Sequence, residues 1–587
     1  MRMRGSGRSA LTWVAVAITG FGLAGCGSDD DDNGPPAAPA PQAKTCAELN
    51  GMTIAAGSIG LPTTGAVVTG TTVVPAAGSG ATAVGEYCRV LGDINPVDPA
   101  APKIKFQVNL PTQWNGKTMM FGGGGYNGTI ATGTGNVSAG PANQPVPLGR
   151  GYATFGSDSG HQAGPTTSRE GAFGANDEAL RNFAGDALKK TRDAAISIVK
   201  ARYAADPQRN YFAGGSTGGR EALLAVGNWP QDFDGAIVLF PAWNATALNL
   251  HLGRMTRAMA QPDAYPSREQ RKVLYDAAVQ ACDALDGATD GLISNQPACN
   301  AQFDPLTATL NGTPIVCPTG QNAPSCLTRE MIDAMVLLEQ PTVLPYRLAS
   351  GENGYPGFTV WGTDFGIPAA GMNATQTAVQ PTVVNLTLGG VQPANPMPPV
   401  IPTNATGSPP YGSTFWDQWV KFFVTRDPNA NPLALDPVNP GLLQARIVEL
   451  GRIQDANRSD FSAFRARGGK IVMAHGTHDG LVSNKATQQF MQRIRAAMGA
   501  PAVTDFLRYY EIPGYNHAVS SQFNAAWDSV TALENWVERG QAPANQVVAD
   551  TVGVPGRTRP LCEWPAYPRY NGSGDVNAAA SFTCTAP

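Results

Sequence analysis

The sequence predicts an α/β fold, a mostly parallel sheet covered by helices on both faces and interrupted by one large insertion. Two observations carry this. Strand-like apolar runs alternate with helix-patterned segments up to Phe240 and again from Lys470. Within that rhythm, Gly214-Gly215-Ser216-Thr217-Gly218-Gly219 lies between strand-like Asn210-Tyr211-Phe212-Ala213 and helix-forming Glu221 to Val226. A sharp strand-to-helix turn needs small neighbours, because a Cβ would clash where the backbone doubles back. G-x-S-x-G supplies them and lifts the serine hydroxyl above the sheet at a helix N-terminus. In a chain with 67 glycines the pattern alone is weak, and chain order strengthens it: Asp479 and His517 each follow a later strand-like run.

The elements follow in order. Arg2, Arg4 and Arg8 precede a short apolar run, Ala10 to Gly22, and Leu23-Ala24-Gly25-Cys26 closes it, so residues 1–26 read as an export signal. A cysteine directly after the cleavage site is the pattern of a bacterial lipoprotein, with Cys26 lipidated; plain secretion is the alternative. Residues 27–44, with Asp29 to Asp32 and a Pro/Ala run, read as a solvated tether. A first α/β part spans 45–242. Ile104, Phe106, Val108 and Leu110 alternate with polar residues as in a half-buried strand, and Met119 to Phe121 is a short strand ending in Gly122 to Gly125. Leu188 to Val199 carries one apolar helical face, and Ala236 to Phe240 is a buried strand. From 243 to 459 the rhythm gives way to short helices and long Pro/Gly/Asn/Thr stretches. A structureless loop of that length is implausible in a compact domain, so the segment is expected to be an inserted lid domain. The second α/β part, 460–587, has strands at Lys470 to Ala474 and Phe506 to Tyr510 and a helix ending at Gly540.

A formal net charge of −4, with no basic stripe, makes no electrostatic case for nucleic acid. The only membrane contact expected is an N-terminal lipid anchor; oligomeric state is not legible in the sequence. Of nine cysteines, removing Cys26 leaves an even set, with no CxxC, and an exported chain uses such a set for disulfides. Proximity suggests Cys46–Cys88, Cys282–Cys299, Cys317–Cys326 and Cys562–Cys584, one of 105 possible connectivities.

Ser, Asp, His is the chain order of an α/β-hydrolase triad. Ser216 is then the nucleophile, Asp479 the acid in His475-Gly476-Thr477-His478-Asp479-Gly480, and His517 the base in Gly514-Tyr515-Asn516-His517. Asp427 and Asp505 are rival acids that follow strands less closely. His475 and His478 could ligate a metal but are more simply parts of the acid loop, and His161 reads as structural. The Thr217 N–H, directly after the nucleophile, and the Gly122 to Gly125 loop are candidate oxyanion donors, a flexible turn being the loop's alternative reading. Cys282 to Leu292 carries Asp283, Asp286 and Asp290 among glycines. This suits calcium, held by those carboxylates and by the carbonyls of Ala288 and Leu292, without matching the EF-hand spacing. The pattern alone fits a solvated acidic turn as well.

Together these motifs, with Arg559-Pro560-Leu561-Cys562 and Tyr570 to Asp575, resemble the tannase/feruloyl esterase family over nearly everything after the tether. The resemblance implies an α/β-hydrolase fold with a large lid, structural calcium in it, and hydrolysis of aromatic-acid esters. It assigns Ser216, Asp479 and His517 to the triad and Gly125 and Thr217 to the oxyanion hole. Family members usually join a cysteine before the nucleophile to one after the base; here those positions are Gly215 and Ala518. A terephthalate half-ester hydrolase and a non-catalytic, surface-anchored ligand-binding protein are the alternatives. Tyr355, Phe358, Trp361, Phe365, Tyr411, Phe415, Trp416 and Trp419 are lid aromatics that could touch an aromatic acyl group. Between Arg347 and Arg426 only Lys421 is basic, so the lid is expected to lack a clamp for a substrate carboxylate.

Overall fold

The computed structural model describes residues 42–367, 371–397, 402, 404 and 407–587. The expected export signal, Cys26 and the tether up to Pro41 lie outside them.

An eleven-stranded sheet organises the fold. Its strands are β1 (Thr53–Ile54), β2 (Ala66–Val74), β3 (Tyr87–Ile94), β4 (Ile104–Pro111), β5 (Lys117–Phe121), β6 (Ala153–Ser157), β7 (Arg209–Gly215), β8 (Gly235–Leu239), β9 (Lys470–Gly476), β10 (Leu507–Ile512) and β11 (Cys562–Glu563). Across the sheet the order is β1-β2-β3-β4-β6-β5-β7-β8-β9-β10-β11. From β6 to β10 every pairing is parallel. The flanks are antiparallel, as in β3–β4, β4–β6 and β10–β11. This is an α/β-hydrolase sheet, and the parallel centre explains the unbroken apolar runs of β8 and β9, which helices bury on both faces.

β4 departs from the half-buried strand its alternation suggests. Gln107 and Asn109 are buried along with the apolar residues. Burial is tolerated because the Gln107 amide donates to Asn109 Oδ1 and the Asn109 amide donates to Thr132 O and Thr154 Oγ1. The strand expected to run through Phe240 ends at Leu239, where Phe240 turns to a φ of 35°.

The helices α1 (Ala187–Tyr203) and α2 (Thr217–Asn228) pack on the sheet. The insertion enters between the neighbouring strands β8 and β9 and is more regular than the sequence suggests. Its first helices, α3 (Ala245–Met259) and α4 (Arg268–Cys282), each have 15 residues. A further helix, α5 (Gln444–Gln454), leads back toward β9. Residues 42–587 form one compact unit. All four expected disulfides form: Cys46–Cys88, Cys282–Cys299, Cys317–Cys326 and Cys562–Cys584. Among the described residues no helix is long and apolar enough to cross a membrane.

Candidate active site

Ser216 sits between β7 and α2 with φ 59° and ψ −123°, a backbone conformation that a side chain rarely adopts and that persists only when the surroundings enforce it. The enforcement is steric. A Cβ on Gly214 would lie 2.2 Å from Gly218 O, and one on Gly218 would lie 2.7 Å from Gly123 O. One on Gly215 would lie 2.6 Å from the Phe240 ring and 2.7 Å from Ser138 Oγ.

The glycine loop after β5 is fastened to α2. Buried Glu221 accepts the Gly123 N–H at 2.9 Å, and the Thr217 hydroxyl donates to Gly125 O at 2.7 Å. The backbone N–H groups of Gly125 and Thr217 meet no protein acceptor among the described residues, and both residues line the cavity that Ser216 lines. Two unspent donors beside the serine hydroxyl are what an oxyanion requires.

The acid and base loops follow β9 and β10. His517 Nδ1 lies 2.7 Å from Asp479 Oδ2, with both side chains buried. Asp479 Oδ1 accepts the Leu481 and Val482 N–H groups at 2.9 and 2.8 Å. His475 adds a contact that sequence reading missed: its Nε2 lies 2.9 Å from Val482 O, an obligate acceptor, so Nε2 carries a proton and also faces Asp479 Oδ2 at 3.2 Å. Burial alone would raise the Asp479 carboxyl; the charge of His517 and the hydrogen bonds of His475 and His517 overcome it and hold the group well below the usual carboxylate range.

Asn516 couples these loops to the insertion. Its Oδ1 accepts the N–H groups of Gly480 and His517 at 3.0 and 2.7 Å, and its amide donates to Asp364 O. The elbow and the base also share a neighbour, since the Phe240 ring that limits Gly215 lies 4.8 Å from the His517 ring.

The cavity at Ser216 is small, about 50 Å³, and largely apolar. Tyr126, Phe183, Leu248, Leu252, Phe415 and Val482 are among its walls, with Asn249, Arg220 and Gln454 as polar members. Of the eight insertion aromatics singled out in the sequence only Phe415 lines it; Trp416, Trp419, Tyr355 and Phe358 are buried core. The rival acids are elsewhere: Asp505 pairs with Arg465 on the surface, and Asp427 is exposed. His161 stacks on Phe173 with ring centroids 3.7 Å apart, and burial lowers its pKa to about 4. His478 contacts Gln296 of the insertion at 3.0 Å.

In the acidic loop, Asp283 accepts N–H groups from Asp290 and Gly291, and Asp290 pairs with Arg559. Among the described residues no three His, Cys, Asp or Glu side chains are gathered tightly enough to hold an ion. What fits a cation is Asp286. Its Oδ2 is buried with no hydrogen-bond partner among the described residues, and burial raises its pKa to about 6 against the lowering effect of the neighbouring Ser294 and Ala288, with Asp290 and Asp283 adding repulsion.

Residues 88–585 match the family model described as tannase and feruloyl esterase. An uncharacterized esterase of Agrobacterium fabrum is 39% identical over 93% of this chain and 94% of its own length. A mono(2-hydroxyethyl) terephthalate hydrolase of Piscinibacter sakaiensis is 29% identical over 87% of each chain. Among solved structures, feruloyl esterase B from Aspergillus oryzae superposes with a TM-score of 0.69 at 20% identity, over 89% of this chain and 98% of that one. The latter likeness speaks to the fold.

Proposed function

Because this chain belongs to the tannase and feruloyl esterase family of carboxylic ester hydrolases, we propose that it cleaves esters of aromatic, phenolic acids through an acyl-enzyme. His517, oriented through Nδ1 by Asp479, takes the Ser216 proton as the hydroxyl attacks the ester carbonyl. The developing oxyanion is held by the Gly125 and Thr217 N–H groups. His517 then protonates the leaving alcohol, and a water activated by the same imidazole releases the acid.

The observation that supports this reading is the 2.7 Å contact of His517 with Asp479, taken together with a strained serine in an apolar cavity with two unspent N–H donors. A non-catalytic binding protein would have no use for the strain at Ser216. Labelling by a fluorophosphonate that disappears in Ser216→Ala, together with turnover of methyl hydroxybenzoates, tests it. A folded protein that neither labels nor turns over would end the enzyme reading.

Calcium is proposed as a structural ion, with Asp283, Asp286 and Asp290 and the carbonyls of Ala288 and Leu292 as the residues that would hold it. When bound, it supplies positive charge to the loop's carboxylates and so steadies the fold; a ligand of the native state alone stabilises by mass action. EGTA should lower the melting temperature of wild type and leave that of Asp286→Asn unchanged. Equal melting with and without EGTA in wild type would dismiss the ion. Export is the expected route, since four disulfides form in oxidising compartments. Lipidation at Cys26 would show as labelled palmitate incorporation that is lost in Cys26→Ser.

A further inference from the structure

One face of α3 forms a wall of the cavity at Ser216: Ala245, Leu248, Asn249 and Leu252 recur at helical spacing. Three of them are apolar, and the fourth is an amide. Asn249 is 6% exposed, and its Nδ2 donates to the Ala245 carbonyl at 2.9 Å. That carbonyl can only accept, which fixes the amide's orientation and leaves Oδ1 as the free end. Asn249 Oδ1 is buried and has no hydrogen-bond partner among the described residues.

The neighbouring polar groups do not serve it. Arg220 donates to the carbonyls of Phe183, Ala184 and Gln454, and the Gln454 amide donates to Thr246 Oγ1. A buried carbonyl without a donor is costly, and it becomes an asset when the ligand brings the donor.

We propose that Asn249 determines specificity for the ring of the acyl group: its Oδ1 accepts a hydrogen bond from a phenolic hydroxyl. This rests on the esterase reading above and goes a step past it, assigning the selection of hydroxylated rings to one residue of the insertion. An acceptor at this position favours a neutral phenol over a ring without a donor, and it repels a ring carboxylate. Selection of this kind is strong, because a site built to bond a hydroxyl is left with an unpaired buried group when an analogue lacks it.

The test compares kcat/KM for methyl benzoate, its 3-hydroxy, 4-hydroxy and 3,4-dihydroxy derivatives, and the matching methoxy esters. Wild type, Asn249→Leu and Asn249→Asp are each assayed, with melting temperatures recorded alongside. Wild type should prefer its best hydroxybenzoate at least tenfold over both the unsubstituted and the methoxy ester. Asn249→Leu should lose that preference, its kcat/KM for the hydroxybenzoate falling at least tenfold relative to its kcat/KM for methyl benzoate, because an apolar side chain leaves no acceptor for the phenol. Asn249→Asp, which keeps an acceptor, should retain the preference, and this guards against a leucine variant that fails to fold. Turnover of benzoates by wild type with no preference for hydroxylated rings would overturn the assignment alone. So would a leucine variant that loses activity on all the esters equally. Hydrolysis of aliphatic esters with none of any benzoate would overturn the esterase reading's acyl class, and the assignment with it.

Discussion

Phe240 leaves the end of β8 at a φ of 35° and places its ring between the nucleophile's turn and the base. This chain has Gly215 before the serine and Ala518 after the base, and the space a side chain at 215 would need is filled by Phe240 and Ser138 Oγ. Packing against the Phe240 ring thus links the turn that holds the serine to the base. Gly215→Ala should cost about 1–3 kcal/mol, the usual penalty of overpacking a filled core. Because the displaced ring also supports His517, kcat should fall more than KM rises. Urea midpoints and steady-state kinetics on the variant check both; a fully active, equally stable variant would show that the ring yields freely. At this scale Ser216, Asp479 and His517 were legible in the sequence, because each lies in a short local pattern beside a strand end. The supporting contacts of His475, Asn516 and Phe240, and the orphaned carbonyl of Asn249, were not. They depend on which residues meet across long stretches of chain, and no local pattern encodes that.

Among the elements, α3 matters most to the site, and it is capped from a distance. Asp455, just beyond α5, accepts the Thr246 N–H and hydroxyl at 2.9 and 3.1 Å, placing a carboxyl at the N-terminus of α3. Burial raises its pKa to about 7, above the ordinary value near 3.9. The folded state therefore holds a proton that the unfolded chain releases near pH 4. The stability from that proton is full below pH 4 and drains away as pH rises toward 7. Asp455→Asn, neutral throughout, should gain on wild type by on the order of 2–4 kcal/mol between pH 4 and pH 8, read from denaturant midpoints. A pH-independent difference would mean that the carboxyl is ionised throughout. The disulfides make a second comparison between elements. Cys46–Cys88 spans 42 residues and Cys317–Cys326 spans 9. Loop-closure entropy gives about 4 and about 3 kcal/mol respectively, so the paired serine variant of the first should unfold at lower denaturant than that of the second. The pairings were legible from proximity and parity. The strands β2, β3 and β6 were not, because their sequences carry polar or glycine positions that only pairing with their neighbours in the sheet accommodates.

For the molecule as a whole, the decisive question is where its cations end up. The sequence places few in the middle of the insertion, and folding brings none of them to the serine with donors to spare. Lys421 is held by Asp417 at 2.7 Å, and Arg426 pairs with Asp177 at the surface. Arg347 donates to Gly351 O at 2.6 Å. Arg220 does line the cavity, a placement no local pattern encodes, and three of its N–H groups are engaged by the carbonyls already described. A substrate carboxylate entering this cavity would thus meet largely apolar walls, the Asn249 carbonyl, and a single cation already committed to backbone carbonyls. An unpaired buried carboxylate costs several kcal/mol, and each 1.4 kcal/mol is about a factor of ten, so a carboxylated ring should be disfavoured by at least about 100-fold. The prediction is that methyl 4-hydroxybenzoate exceeds monomethyl terephthalate by that factor in kcat/KM at pH 7. The gap should narrow as pH falls toward about 4, where the terephthalate carboxyl takes up a proton and its desolvation cost disappears. Taking the ratio of two substrates at each pH removes whatever the acid does to the enzyme itself. A ratio near one at pH 7, or one that does not change with pH, would mean that a cation reaches the ring after all, and Arg220 would be the first to replace.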